Sequence, residues 1–296
     1  MALAASKVIN ILTILSEKRL LKLANKDRYK FSGIGFELLG ILILIALWFI
    51  AGWIFVILPS TIFGTFSFLN PLNDAGQFSD FLPIPTFKAL YELIFQDRFW
   101  FSVGASLRRV FIGISIAAII GIPLGLVTGF YPILRNIAYA PIQFLRMVSP
   151  LAWMPIALIV FKAFESAICF LIFMATVWPI ILNTASGAAN VNPSLIKMAM
   201  NQGANHSQIF FTIILPASLP TILSSIRLAI GVAWIVLVPA EFLGVASGLG
   251  YLINDARDTM SYDSLMAIIV AIGILGFTFD KIFQTIQRTF SRSWIE

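Results

Sequence analysis

The residues most able to do chemistry in this 296-residue chain are the few ionisable side chains within long apolar runs. Arg146 lies between Pro141 and Pro150, where a broken helix can present a cation to an anion in a polar cavity. Glu241 follows Pro239 and would repel an anion in the same cavity, which favours a paired or gating role. A structural role for Arg146, as partner of Glu241 or of a backbone carbonyl, is the alternative.

Three large side chains in the apolar runs are further candidates for the wall of such a cavity: Trp153, Met154 and Trp178. Side chains of these types in apolar helices are more often packed in a core, which is the competing interpretation. Arg108 and Arg109 are expected at the outer rim of a membrane, where long basic side chains reach the headgroups.

Catalytic and metal-binding chemistry finds little support in the sequence. Cys169 is the only cysteine and lies in an apolar run, and His206 is the only histidine, which excludes a His-rich metal site. No G-x-x-x-x-G-K-[ST] segment occurs, so the chain is not expected to cradle ATP phosphates in that way. We therefore predict no enzymatic activity, no metal and no cofactor bound by this chain.

The composition places the chain in a membrane. Hydrophobic residues make up 59% and charged residues 11%, whereas soluble domains carry roughly 25% charged residues. An apolar helix of about 20 residues crosses the hydrocarbon core. Six runs approach that length, the last three only with a charge or a break: 38–58, 110–130, 166–185, 137–161, 228–245 and 264–279. The predicted fold class is an all-α integral membrane protein with about six transmembrane helices.

The basic residues are distributed unevenly along the chain. Residues 1–35 hold seven basic and two acidic residues, whereas the loops 59–104 and 254–263 together hold three basic and seven acidic ones. This is the positive-inside pattern, and it predicts that both termini are cytoplasmic. The basic residues are not grouped on one face with stacking aromatics, so nucleic acid is not an expected partner.

The chain is predicted to have four parts. Residues 1–35 form a cytoplasmic amphipathic segment on the lipid surface, with a disordered basic tail as the alternative. Residues 36–81 contain the first transmembrane helix and an outer loop, 82–285 the core, and 286–296 a cytoplasmic tail. Glycines in the core predict close helix contacts, and prolines predict breaks beside a path.

A polar interruption at 188–220 carries the signals of two short helices. Each helix would have about ten residues, too few to cross a bilayer, so the segment is predicted to form a hairpin at the cytoplasmic surface. It either transmits force from a cytoplasmic partner or simply covers the ends of neighbouring helices. The helix starts are marked by Asn192 with Pro193 and by Asn205 with Gln208, and the helix ends by Gly203 and Pro216.

The spacing G-x9-I-x-L-P from Gly203 to Pro216 resembles the cytoplasmic loop of permease subunits in binding-protein-dependent ABC importers. That loop usually begins with Glu-Ala-Ala, where this chain has Lys197, Met198 and Ala199. The similarity runs from 82 to 280 and includes SLRRVFIGISIAAIIGIPLG, RLAIGVAWIVLVPAEFLG and SGLGYLINDAR. It implies an ATPase-coupling loop whose marked residues are Lys197, Ala199, Gly203, Ala204, Ile213, Leu215 and Pro216.

Within that family, SPLAWMPIALIVF at 149–161 is most similar to the permeases for nitrate, nitrite or bicarbonate, with the sulfonate and taurine branch close behind. The resemblance implies a type I importer fold in the bacterial inner membrane and a pair of permease subunits, taken as two copies of this chain. It also implies two cytoplasmic ATPase subunits that hold ATP and Mg, and an external substrate-binding protein.

Two interpretations from other classes remain open. A passive channel or ion-coupled carrier would need no ATPase and would often show internal repeats, of which we find none. A membrane anchor without a path is disfavoured by the prolines and glycines in the core.

Overall fold

The computed structural model describes residues 39–51, 79–242 and 244–292 and divides the chain into two compact units, Met1–Pro85 and Thr86–Glu296. In the first unit, helix α1 covers Leu39–Ala51, and a single 3-10 turn covers Ser79–Phe81. The predicted segment 1–35 and most of the predicted outer loop lie outside the described residues.

The described part of the second unit is helical and contains no strand, which confirms the all-α fold class. Helix α2 begins at the end of the first unit, and the order continues as follows: α2 Pro83–Ile94, α3 Asp97–Phe130, α4 Pro132–Met147, α5 Met154–Phe161, α6 Phe164–Ala189, α7 Pro193–Asn201, α8 His206–Glu241, α9 Leu249–Asp258 and α10 Tyr262–Arg292.

Four of these helices, α3, α6, α8 and α10, are long and apolar enough to cross a membrane. A fifth span forms if α4 is taken together with the segment Pro150–Phe161, which bends away from it by 85°. Helix α1 covers 13 residues of the first predicted span, and the rest of that run is outside the described residues.

Helix α6 is the centre of the bundle, because α3, α5 and α8 all pack against it. Four glycines of α3 lie on one face against α6, and a Cβ atom at Gly125 would lie 2.6 Å from Thr184 Cβ and 2.7 Å from the Ile181 carbonyl oxygen. The predicted close packing through glycines is therefore confirmed. The facing pairs are Gly113 with Ile172, Gly121 with Ile180, Gly125 with Thr184, and Gly129 with Ala188.

The prediction that a second short helix stops at Pro216 is wrong. Residues Phe210–Ile214 form a π-helical turn, in which the amide of Leu215 donates to the carbonyl oxygen of Phe210. The wider turn leaves room for a residue without an N–H, so the helix passes Pro216 and continues to Glu241. The second short helix is consequently the first part of a long span.

Candidate functional site

The end of the bundle that carries residues 190–205, here called the loop end, has the two predicted helix starts. The Asn192 side chain accepts a hydrogen bond from the amide of Ser194 at 2.9 Å, with Pro193 at the first helical position. Asn205 and Gln208 form reciprocal side-chain to backbone bonds of 2.8 Å each. Both caps are confirmed, and they fix where α7 and α8 begin.

The turn between α7 and α8 depends on Gly203, which adopts φ +84°. This is the left-handed region that glycine enters without the Cβ penalty. The turn is closed by the amide of Ala204, which donates to the carbonyl oxygen of Ala199 at 3.0 Å. The chain therefore reverses within four residues, and α7 stands directly beside the start of α8.

Helix α7 has one face anchored in the bundle and one face free. Ile196 and Ala199 of α7, and Ala204 in the turn after it, pack against a buried cluster that includes Leu126 of α3 and Ala188 of α6. Leu195 and Met198 of the same helix are 46% and 57% exposed, and Lys197 between them in the sequence is exposed as well. Exposed apolar side chains on an anchored helix are typical of a docking surface.

A groove of about 490 Å³ runs between α7 and the first turns of α8. Of the predicted coupling residues, Ala199, Ile213 and Pro216 line this groove, Lys197 and Gly203 are exposed, and Ala204 and Leu215 are half-buried toward the core. The structure thus brings the seven residues into one small region. Their contact with an ATPase stays a prediction.

The opposite end of the bundle, here called the cluster end, holds the charged cluster formed by Ser106, Arg108, Arg109, Glu165 and Glu241. Arg109 is completely buried, so its predicted place among the headgroups is wrong. It lies three turns into α3, between a carboxylate of α6 and a carboxylate of α8. These two counter-charges make its burial possible.

Every N–H of the Arg109 guanidinium, which has five, faces an acceptor. Nη1 donates to Glu241 Oε1 and to the Ser247 carbonyl oxygen at 2.8 Å. Nε donates to Glu165 Oε2 at 3.0 Å, and Nη2 donates to Glu165 Oε1 and to Ser247 Oγ at 3.2 Å. The two edges of the guanidinium therefore bind different helices.

Glu241 is as fully satisfied as its arginine. Its carboxylate accepts from Ser106 Oγ at 2.8 and 2.9 Å and from the amide of Gly250 at 2.9 Å. Ser106 Oγ in turn accepts from the amide of Leu249 at 2.9 Å. The cluster therefore ties α3 and α8 to the first turn of α9.

Gly248 is required by this arrangement for two reasons. Its φ is +123°, a region that L side chains rarely adopt. A Cβ atom there would lie 2.5 Å from Glu241 Cδ and 2.6 Å from Arg109 Nη1. The Ser-Gly-Leu-Gly turn consequently lets the backbone approach two buried charges.

The predicted path residues are dispersed in the isolated chain. Arg146 is exposed in the last turn of α4, and since Glu241 pairs with Arg109, the alternative of an Arg146–Glu241 pair is wrong. Met154 is 6% exposed in the core cluster, and Trp153 and Trp178 are half-buried against core residues. Only Arg146 of this set presents a free charge at the bend between α4 and α5.

Sequence reasoning missed the partnership of Ser106, Arg109 and Glu165. A signal was available: Ser106 and Arg109 are three residues apart and share a helix face, and spans 164–189 and 206–241 each contain a carboxylate near the same end. A buried arginine in lipid demands such carboxylates. The described residues contain no group of His, Cys, Asp and Glu that could hold a metal ion.

A family model described as "Binding-protein-dependent transport system inner membrane component" matches residues 121–296. This match takes in the loop end and the Glu241 side of the charged cluster. The chain belongs to this family.

Individual relatives of this chain agree with that assignment. It is 36% identical over 67% of its length to the bicarbonate transport system permease protein CmpB of Synechococcus elongatus, covering 71% of that protein. It is also 36% identical over 61% of its length to the nitrate import permease protein NrtB of Leptolyngbya laminosa, covering 64% of that protein.

The fold of this chain has a solved counterpart. A chain of the MetNI methionine ABC transporter, determined in inward-facing conformations, superposes with a TM-score of 0.54 at 16% identity. The match covers 64% of this chain and 94% of that one. The bundle described above is therefore the permease fold of a type I ABC importer, as the sequence predicted.

Proposed function

We propose that this chain is the permease subunit of an ATP-driven importer for a small inorganic oxyanion, with nitrate or nitrite as the first candidates and bicarbonate next. The observation that carries the proposal is the construction of the loop end. A short helix is anchored by Ile196 and Ala199, continues through a tight turn into the long span α8, and keeps Leu195 and Met198 exposed. The names of the bicarbonate and nitrate relatives support the substrate class.

The loop end is proposed to face the cytoplasm of a bacterial inner membrane. The N-terminal 35 residues are rich in basic side chains, and the positive-inside rule assigns such segments to the cytoplasm. Helices α8 and α10 run in opposite directions, so α10 ends on the side where α8 begins. Both termini and the loop would then share one side.

In this proposal the groove of α7 and α8 receives a surface of a cytoplasmic ATPase subunit. Two such subunits hold ATP and Mg and supply the energy, and an external binding protein delivers the anion. A movement of α7 is passed directly into α8, because only residues 202–205 separate the two helices. Lys197, at the position usually occupied by glutamate, would give this contact a positive charge.

The path is proposed to lie between two copies of this chain. The broken segment α4 to α5, bent by 85°, is the candidate wall, since irregular backbone at membrane depth is tolerated only in protein or along a wet cavity. Arg146 lies at that bend and is exposed in the single chain. It would attract an anion, and Trp153 and Trp178 remain candidates for the wall.

The substitution Arg146→Ala tests the path. We expect uptake of labelled nitrate by proteoliposomes containing the whole complex to fall several-fold, with ATPase activity and assembly retained. Arg135→Ala, an exposed arginine at the other end of α4, is the matched control. Unchanged uptake in the Arg146 variant would remove this residue from the path.

Two measurements separate the proposal from its alternatives. Copurification of a stoichiometric ATPase and strict dependence of uptake on ATP are expected; uptake without ATP would indicate a channel or an ion-coupled carrier. Competition by bicarbonate and by a sulfonate such as taurine ranks the substrates. Stronger competition by taurine than by bicarbonate would move the assignment to the sulfonate branch.

A further inference from the structure

We infer that Arg108 and Arg109 form a binding site for a planar oxyanion, and that Glu165 occupies this site as an internal substitute for the anion. The inference rests on the proposed anion transport and extends it to a site away from Arg146. It starts from the contrast between the two carboxylates that bind Arg109.

Glu241 is a permanent partner of Arg109. Its side chain is 0% exposed, and it also accepts bonds from Ser106 and from the amide of Gly250. Leaving its place would strand a buried charge and two buried donors. Glu241 therefore neutralises Arg109 in every state of the site.

Glu165 is held much less firmly. Its side chain is 45% exposed, and its hydrogen-bond partners within the described residues are the two arginines alone. It lies in the first turn of α6, so rotation about its side-chain bonds can carry the carboxylate into water without moving the helix. The Nε and Nη2 edge of Arg109 is thus the exchangeable half of the guanidinium.

The geometry of the exchangeable half defines the ligand. Glu165 accepts from Nε and Nη2 of Arg109 in a two-pronged arrangement, and Arg108 Nη2 donates to the same Oε2 at 3.0 Å. Arginine recognises planar carboxylates in this way. Nitrate and bicarbonate have the same trigonal plane of oxygens, so either can replace the carboxylate atom for atom at the three donors.

The charge balance favours the exchange. With Glu165 in place, two arginines face two carboxylates and the site is neutral. When Glu165 turns outward, Arg108, Arg109 and Glu241 leave a net charge of +1, which one monovalent anion neutralises. The attraction is strongest at Arg109, which is buried, whereas Arg108 is 64% exposed and water screens part of its charge.

A groove gives the anion access to this position. Its volume is about 490 Å³, and Arg108 and Glu165 line it together with Ser166, Cys169 and the apolar side chains Ile112 and Phe161. Arg108 is 64% exposed in its side chain and stands where the groove meets Glu165. The groove is thus large enough to hold a small oxyanion beside Arg108 and Glu165.

The test is the nitrate affinity of the complete transporter, measured by isothermal titration calorimetry in a chloride-free buffer. Glu165→Gln removes the internal competitor and keeps its size, so nitrate should bind about threefold to tenfold more tightly, the range expected for loss of one partly exposed charge-assisted contact. The neutral planar molecule urea should bind equally to both proteins. Arg257→Gln, which alters an exposed ion pair with Asp258, is the matched control and should leave nitrate affinity unchanged.

Two more variants keep the test decisive. Glu165→Asp shortens the side chain by one methylene and should give a smaller gain of the same sign, which serves if the Gln variant assembles poorly. Adding Arg108→Gln to Glu165→Gln should abolish the gain. Equal, weaker or undetectable nitrate binding in both Glu165 variants overturns the inference. If the wild-type complex still imports nitrate, the proposed function survives that result, whereas a wild-type complex that imports none of the tested anions ends both.

Discussion

Breaking the Arg109–Glu241 pair should destabilise the chain far more than breaking an ion pair at its surface. In Glu241→Leu, Arg109 keeps Glu165 but loses its fully buried partner, and the donors Ser106 Oγ and Gly250 N lose their acceptor. Removal of one member of a buried pair costs about 3–5 kcal/mol. The remaining carboxylate places this case near the lower limit, about 3 kcal/mol.

The double substitution Arg109→Met with Glu241→Leu should be milder than the sum of its parts. It removes both charges together, so neither is left buried and unpaired, and buried pairs replaced by apolar residues are often close to neutral. The double-mutant cycle should therefore give a coupling energy of about 2 kcal/mol or more between the two residues.

The assay is thermal unfolding of the purified complex in one fixed detergent, and the measured quantity is the melting temperature of this chain within the complex. A loss of 3 kcal/mol corresponds to a fall in the melting temperature of about 6–12 °C for a unit of about 200 residues. The exposed pair Arg257–Asp258, with side chains 62% and 59% exposed, is the control cycle and should couple by less than about 1 kcal/mol. A coupling below about 0.5 kcal/mol at Arg109 and Glu241 would refute the reasoning, because independent sites add within that error.

Three further substitutions test other contacts. Gly125→Ala pushes a methyl group into Thr184 and the Ile181 backbone and should lower the free energy of unfolding by about 1–3 kcal/mol. Gly231→Ala places its methyl group in open space and should be tolerated. Equal melting temperatures of the two variants would contradict this packing. Gly203→Val forces a β-branched residue to φ +84° and should lower ATP-driven uptake, whereas Gly203→Asn, which tolerates that conformation, should retain most of it; normal uptake in the Val variant would count against a rigid turn. Replacing Arg227 alone by Asp should lower the melting temperature by a few degrees. The double variant Arg227→Asp with Asp280→Arg should recover it, because the two 2.8 Å bonds of the pair can form again. If the melting temperature does not recover, the pair is incidental.

The charged cluster also suggests why the turn after α8 has its sequence. Ser247 offers a carbonyl oxygen and a hydroxyl to Arg109, and Gly250 offers an amide to Glu241. The turn thus completes the hydrogen bonding of two charges that lipid could not satisfy. Gly248, Leu249 and Gly250 are accordingly buried, whereas Phe242 and Gly244 just after α8 are exposed.

The sequence alone determined the class and most of the elements of this protein. Long apolar runs predict spanning helices because backbone groups in lipid must bond within their own segment. The caps at Asn192 and Asn205 were predictable since capping depends on residues only three positions apart. Close packing at the glycines of α3 was also predictable, because a residue without a Cβ atom lets a neighbouring helix approach.

Only the tertiary structure decided which charges pair and where α8 continues. Arg109 meets Glu165 and Glu241, which are 56 and 132 residues away, and no local pattern specifies a partner at that separation. Pro216 was read as a helix end because a regular helix cannot hold it, but the π turn before it supplies the required geometry. Ion pairing depends on helix packing in three dimensions, which a one-dimensional pattern constrains weakly.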